Sequence, residues 1–154
     1  MVTRHKINTD FYDDTFSLVA IHSSLEDHSM VFMLNNFLKT GFKRKRKDLI
    51  LTEAISFPIY DWEDSTHDRY WTCMVNSCEI EESYNANDLF GSEVGISKHH
   101  LIPEYKEADF FLKIEQDGTF YEEEVIRQVS SIPQVITAYS INSKELNSIE
   151  NIIY

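Results

Sequence analysis

Two stretches of helical periodicity stand against about six short β-branched or aromatic runs, and this ratio limits the fold more than any other feature of the chain. Thr15 to His22 reads as a buried strand. Ser23-Ser24 then offer an N-cap, with Glu26 and Asp27 in the first turn. Met30, Phe32, Met33, Leu34, Phe37 and Leu38 follow at helical spacing, and Gly41 sits where a residue closing the helix belongs. Asp48 to Thr52, Phe57 to Trp62 and Arg69 to Val75 read as three more strands, the last two joined by the polar turn 63–68. Pro58 cannot donate to a ladder, which places its strand at or near an edge. Phe110 to Glu115 is a further strand, closed by Asp117-Gly118. Thr119 with Glu122 has the spacing of a capping box, and Val125, Ile126, Val129 and Ile132 make the second helical stripe. Val135 to Ile141 is the last strand, and Asn142 with Glu145 can cap a final turn.

Two helices are too few to cover both faces of a doubly wound sheet. The expectation is an α+β fold: a two-layer sandwich with a mixed β-sheet of about six strands and the two main helices on one face. Each helix is long enough for a parallel crossover, and the apolar strands 16–22 and 110–115 should lie centrally. At 154 residues the chain, 1–154, fits a single domain. Residues 79–100 are polar, contain Gly91 and Gly95, and read as a long mobile loop.

The first ten residues hold no apolar segment, and no run approaches the ~20 residues of a membrane helix. The expected setting is cytoplasmic, with no membrane. Cys73 and Cys78 are five apart, a spacing that closes no disulfide in a strand or a helix, so both should be free thiols in a reducing compartment.

Net charge is −12, unevenly distributed. Lys39 and the run Lys43, Arg44, Lys45, Arg46, Lys47 hold 6 of the 14 basic residues, leaving 8 basic against 26 acidic residues elsewhere. In an extended segment Lys43, Lys45 and Lys47 would point one way and Arg44 and Arg46 the other. A face with two or three charges supports only weak, salt-sensitive phosphate contact.

The segment Leu101-Ile102-Pro103-Glu104-Tyr105-Lys106-Glu107-Ala108-Asp109-Phe110 forms a corner before the 110–115 strand. Pro103 suits the first position of a helical turn, and Glu104 beside it would meet free backbone N–H groups. Residues 104 and 108 would share a face, with small Ala108 letting the turn press on the sheet. The sharper alternative pairs Glu104 and Asp109 as acid–base or metal carboxylates. The first reading makes the corner a bend. Ile102, Pro103, Glu104, Ala108, Asp109 and Phe110 resemble the corner that names the bacterial IPExxxVDY family, with Ala for its Val and Phe for its Tyr. The likeness extends to the first strand and helix, the last helix and strand, and the ending Ser148 to Tyr154. It implies no activity, substrate, cofactor or catalytic residue.

Little else carries chemistry. Four glycines, at 41, 91, 95 and 118, write neither G-x-G-x-x-G nor a Walker loop. An anion at the start of the first helix would meet Glu26 and Asp27. His22, His28, His67, His99 and His100 show no metal-ligand spacing, so no metal and no cofactor are expected. Tyr60, Trp62, Tyr70 and Trp71 suit cross-strand pairing better than base stacking, since Asp61, Glu63 and Asp64 crowd the same hairpin. The leading expectation is a non-catalytic interaction or scaffold domain, meeting an unidentified protein or a second copy through an edge strand. The alternative is a nucleic-acid-associated protein using residues 39–47. An enzyme ranks third, for want of a nucleophile or base.

Overall fold

The computed structural model describes residues 16–84, 93–116 and 120–154. Among these residues ten strands and two α-helices succeed one another in the order β1 (Phe16–Ser23), α1 (Asp27–Leu38), β2 (Lys43–Arg44), β3 (Leu49–Ile50), β4 (Ser56–Phe57), β5 (Ile59–Asp64), β6 (Arg69–Val75), β7 (Ser77–Tyr84), β8 (Glu93–His100), β9 (Phe110–Gln116), α2 (Glu122–Ser130) and β10 (Val135–Ile141). The main sheet has six strands in the order β10-β1-β9-β6-β5-β2. The fold is α+β and mostly sheet. β9 is central as expected, whereas β1 is interior but one strand in from the β10 edge, and Pro58 lies just before β5, one strand in from the β2 edge.

Every pair of neighbours in this sheet is antiparallel, so the expected mixed sheet is corrected. The directions explain why the crossover argument misled. β1, β6 and β2 run one way and β10, β9 and β5 the other. The two helical connections, β1-α1-β2 and β9-α2-β10, therefore do join strands of like direction. Each lands beyond at least one opposing strand: β1 lies between β9 and β10, and three strands separate β1 from β2.

Alternation divides the core between the two faces. Val19 and Ile21 of β1, Trp71 and Cys73 of β6, and Phe110, Leu112 and Ile114 of β9 pack against Met30, Val31 and Leu34 of α1 and Val125 and Val129 of α2. Both helices share that face. On the other face Leu18, Ala20, Met74 and Phe111 are covered by Leu49 and Phe57, by Leu101, Ile102 and Ala108, and by Leu146 and Ile152 near the C-terminus. The short β3–β4 hairpin, the 101–109 segment and the C-terminal turns form this second cover, with no α-helix in it. Burial of a large aliphatic or aromatic side chain is worth roughly 1.5–3 kcal/mol, so this cover is a full share of the core.

Several boundaries differ from expectation. Ser23 belongs to β1, and α1 begins at Asp27 with Glu26 as an N-cap that makes no side-chain cap bond. Lys39, at φ 55°, takes the left-handed position expected of Gly41. Gly41 instead lies under the Trp62 ring, where a Cβ would come 3.3 Å from Cδ1. Asp48 to Thr52 contributes only the two residues of β3 to a separate hairpin with β4, because the chain turns back through Leu51 N–H to Ile55 C=O. The strand that reaches the main sheet is Lys43–Arg44. Of the proposed capping box and turn, Asp117, Gly118 and Thr119 lie outside the described residues. Asn142 does cap, its Oδ1 accepting from Lys144 N–H.

The largest difference concerns 79–100. Within the described residues this is no loop: β7 and β8 form an eight-rung antiparallel ribbon from Ser77↔His100 to Tyr84↔Glu93. Glu79, Glu81 and Glu82 disfavour strand by composition. The period-2 signal was nevertheless present, in Cys78 and Ile80 and again in Val94 and Ile96.

Candidate interaction site: a pinned corner and a separate ribbon

β6 and β7 are one continuous run of chain interrupted only by Asn76, whereas β8 and β9 are separated by nine residues, 101–109. A single residue on one side thus faces a nine-residue excursion on the other. Asn76 closes the gap with its own backbone. Its N–H donates to the Asp109 carbonyl at 3.0 Å, and its carbonyl accepts from Leu101 N–H at 2.9 Å. Its side chain, 0% exposed, fills the excursion. Nδ2 donates to the carbonyls of Tyr105 (3.0 Å) and Ala108 (2.8 Å), while Oδ1 accepts from Ile102 N–H (2.9 Å). One amide meets two inward carbonyls and one inward N–H. Aspartate lacks the donors and leucine lacks both functions.

The corner residues have separate tasks. Pro103 opens a three-residue 3-10 turn, Pro103–Tyr105. This turn is too short for residues 104 and 108 to share a face, and Glu104 is exposed while Ala108 is buried. Glu104 Oε2 accepts from Ser148 N–H at 3.1 Å. Burial works against its charge, but the Ser148 hydroxyl and the backbone N–H groups of Ser148, Glu104 and Asn147 outweigh it and hold the carboxyl below its ordinary range. Asp109 Oδ2 accepts from Ser23 N–H at 2.8 Å, at the point where the β1–β10 register slips. The two carboxylates therefore serve backbone groups of two different segments. Phe110 is buried in the helix-side core.

The basic run lies along the β2 edge, with its charges partly engaged. Arg44 pairs with Asp48 and stands over the Tyr60 ring at 5.7 Å. Lys45 Nζ is 3.5 Å from Asp61 and 5.9 Å from the centre of the Tyr154 ring. Arg44 and Arg46 line an open groove of about 850 Å³ whose other walls include Asp48, Glu53, Ile50 and Ser56. Two carboxylates thus balance the two guanidinium groups. Lys43 and Lys47 are exposed.

The aromatic hairpin is absorbed by the fold. Trp62 and Trp71 sit opposite each other with ring centres 5.4 Å apart at 87°, and Arg69 stacks on Trp62. Tyr60 Oη donates to Asp27 at 2.9 Å, which joins β5 to α1. Burial and the Asp27 carboxylate push this phenol up to about 12. His22 Nε2 lies 2.9 Å from Tyr139 Oη, and His67 pairs with Asp64. His99 and Ser97 lie together on β8, where Ser97 Oγ donates to Glu82. Cys73 is fully buried, its thiol pushed up to about 12 by desolvation, and Cys78 is also free. Among the described residues no group of His, Cys, Asp and Glu could hold a metal ion. No helix among them is long and apolar enough to cross a membrane.

The ribbon differs from all of these. Among the described residues β7 and β8 pair with each other and with no other strand. One of its faces carries Glu79, Glu81, Val94, Ile96 and Lys98, all exposed, with Val94 at 65% and Ile96 at 69%. Its base is tied to the corner through Asn76. The signal that finds Asn76 from sequence is faint: one polar residue closing an apolar strand, with its partners 26 to 32 positions away. No family model, curated protein or solved structure matches the chain.

Proposed function

We propose that this chain is a non-catalytic interaction domain and that the β7–β8 ribbon is the arm it offers to a protein partner. The supporting observation is the outward ribbon face, where Val94 and Ile96 lie in solvent between Glu79, Glu81 and Lys98. An isolated two-stranded ribbon is marginal in water, and a partner that covers its apolar rungs stabilises it. The rim of charge around two β-branched side chains suits a small, transient contact rather than an obligate one. The likeness of the corner to the IPExxxVDY family fits this reading, since backbone groups of the corner meet Asn76 at the ribbon's root. Phe110 fills its core position by ring packing, with no hydroxyl needed. A buried Cys73 thiol and an unpaired Cys78 suit a cytoplasmic setting.

Phosphate contact through residues 39–47 is the weaker reading. Arg44 and Lys45 already face Asp48 and Asp61, and two or three remaining charges on an acidic molecule give weak binding. The test compares wild type with Val94→Lys and Ile96→Lys in capture experiments, with RNA and duplex DNA titrated at two salt concentrations. A protein whose capture disappears in both variants, while their circular dichroism is unchanged, is the expected result. Capture that is the same in all three forms would refute the ribbon as the contact arm. Submicromolar nucleic-acid affinity at physiological salt would favour the basic run instead.

A further inference from the structure

The main sheet ends in two edges of opposite character. At one edge stands β2, whose two residues are Lys43 and Arg44. At the other stands β10, Val135-Ile-Thr-Ala-Tyr-Ser-Ile141, with no charged residue in a chain where 26% are charged. β10 pairs with β1 on its inner side and, among the described residues, with no strand on its outer side. Thr137 and Ser140 are exposed, and Ile136 is 78% exposed. The register slip at His22/Ser23 leaves Ile136 without a partner on β1, while the ladder from Thr137↔His22 to Ile141↔Leu18 is regular. Long edges are ordinarily protected by lysine, proline or a bulge along their length. Here the irregularity occupies one end, and five regular rungs remain.

From this edge we infer that the protein forms a two-fold symmetric dimer by antiparallel pairing of β10 with β10 of a second copy, within Thr137–Ile141. Three observations select a second copy as the occupant. Symmetric antiparallel pairing sets a strand against itself, which brings like charges together wherever the strand is charged. β2 would oppose its own Lys43 and Arg44, and β7 its own Glu79, Glu81 and Glu82. Of the two edges of the six-stranded sheet, β10 alone avoids that repulsion in a molecule of net charge −12, and the uncharged β3 and β4 offer only two residues each. An uncharged edge also carries no charge pattern with which to choose a foreign strand. Finally, Thr137, Ala138, Tyr139, Ser140 and Ile141 are small, β-branched or aromatic, the types that form favourable cross-strand pairs on either face. The two six-stranded sheets then continue as one. This interface is independent of the ribbon.

An edge-only contact is small, so the dimer should be half-populated on the order of 100 μM. Sedimentation equilibrium across a concentration series should show the weight-average mass rising from that of the monomer towards twice that value. Thr137→Lys and Ser140→Lys, on opposite faces of the strand, should each raise the dissociation constant at least ~10-fold. Lys43→Glu, on the other edge, should leave it unchanged. A second measurement needs no variant: amide exchange in β10 of wild type should slow as concentration rises, while exchange in β2 does not. A wild-type chain that stays monomeric to ~1 mM, where even weak specific contacts are populated, overturns the inference. So does a dimer indifferent to both lysines, or exchange in β10 that ignores concentration.

Discussion

The corner at 101–109 and the ribbon β7–β8 meet at Asn76 and invert the usual relation between regularity and stability. The corner has a single 3-10 turn and is otherwise irregular, yet Leu101, Ile102 and Ala108 are buried, and Asn76 meets its inward N–H and carbonyl groups. The ribbon is regular over eight rungs, yet its outward face leaves Val94 and Ile96 in water. Backbone order alone therefore does not mark the structural part of a molecule. What marks it is where the polar groups find partners and where the apolar area goes. By that measure the corner belongs to the core, and the ribbon is surface held in shape.

Asn76→Ala should break the comparison most severely. It strands the Ile102 N–H and the Ala108 carbonyl inside the protein, each at a cost of about 1–3 kcal/mol, while the Tyr105 carbonyl keeps the Ala108 N–H. Partial relaxation brings the expected loss to about 3–5 kcal/mol, read as a lower urea midpoint at constant slope. Asn76→Asp should be nearly as damaging, since its oxygens would face two carbonyls. A loss under about 1 kcal/mol would mean that water can enter the corner and that it is not core after all.

Asp109 should come next. Its carboxylate receives the Ser23 N–H, a charge-assisted bond, but the residue is exposed and water can substitute in part. Asp109→Ala is expected to cost about 1–2 kcal/mol and Asp109→Asn, which keeps an acceptor, less than half of that. Thermal denaturation of the two variants measures the difference. Equal losses would assign the effect to charge rather than to the bond.

The sequence carried much of this architecture in its patterning. β1, β6, β9 and β10 are apolar or β-branched for most of their length, and α1 and α2 show helical stripes, so local periodicity was enough to find them. Direction and neighbour order were not legible, because a crossover of like direction reads the same whether or not another strand lies inside it. The basic residues Lys43 and Arg44 hid a short edge strand behind loop-like composition. The glutamates of β7 did the same for the ribbon, despite the alternation of Cys78 with Ile80 and of Val94 with Ile96. Pro103 announced the turn that it begins. Asn76 was the residue most poorly marked: its role depends on a gap created by where β8 ends and β9 begins, which no local pattern encodes.

Glu104 sharpens the comparison with a smaller, pH-dependent effect. Its carboxyl lies below its ordinary value of 4.5 in the folded protein. A lowered carboxyl stabilises the fold above its unfolded value and loses that contribution as pH falls through the folded one. The group is exposed and solvent screens it, so the contribution is expected to be at most ~1 kcal/mol. Glu104→Gln should therefore be slightly less stable than wild type at neutral pH and indistinguishable from it at pH values well below 4.5. A stability difference that grows on acidification would reverse the sign and remove the carboxylate from the docking of residues 147–148.

The smallest effect should come from the ribbon. Val94→Thr and Ile96→Thr keep the branching at Cβ, so strand preference changes little, and both side chains already lie mostly in water. Together they should change global stability by less than about 0.5 kcal/mol. Amide exchange gives a finer reading. Ribbon amides should open locally and exchange faster than those of β9, whose two neighbours and two covered faces restrict it to near-global opening. The Thr pair should quicken exchange in β7 and β8 and leave β9 as it was. If the substitutions instead lower the global midpoint as far as Asp109→Ala does, the outward face of the ribbon is already buried in the folded protein in solution. The partner covering it is then a second copy rather than a foreign chain, and the ribbon joins the corner as structural.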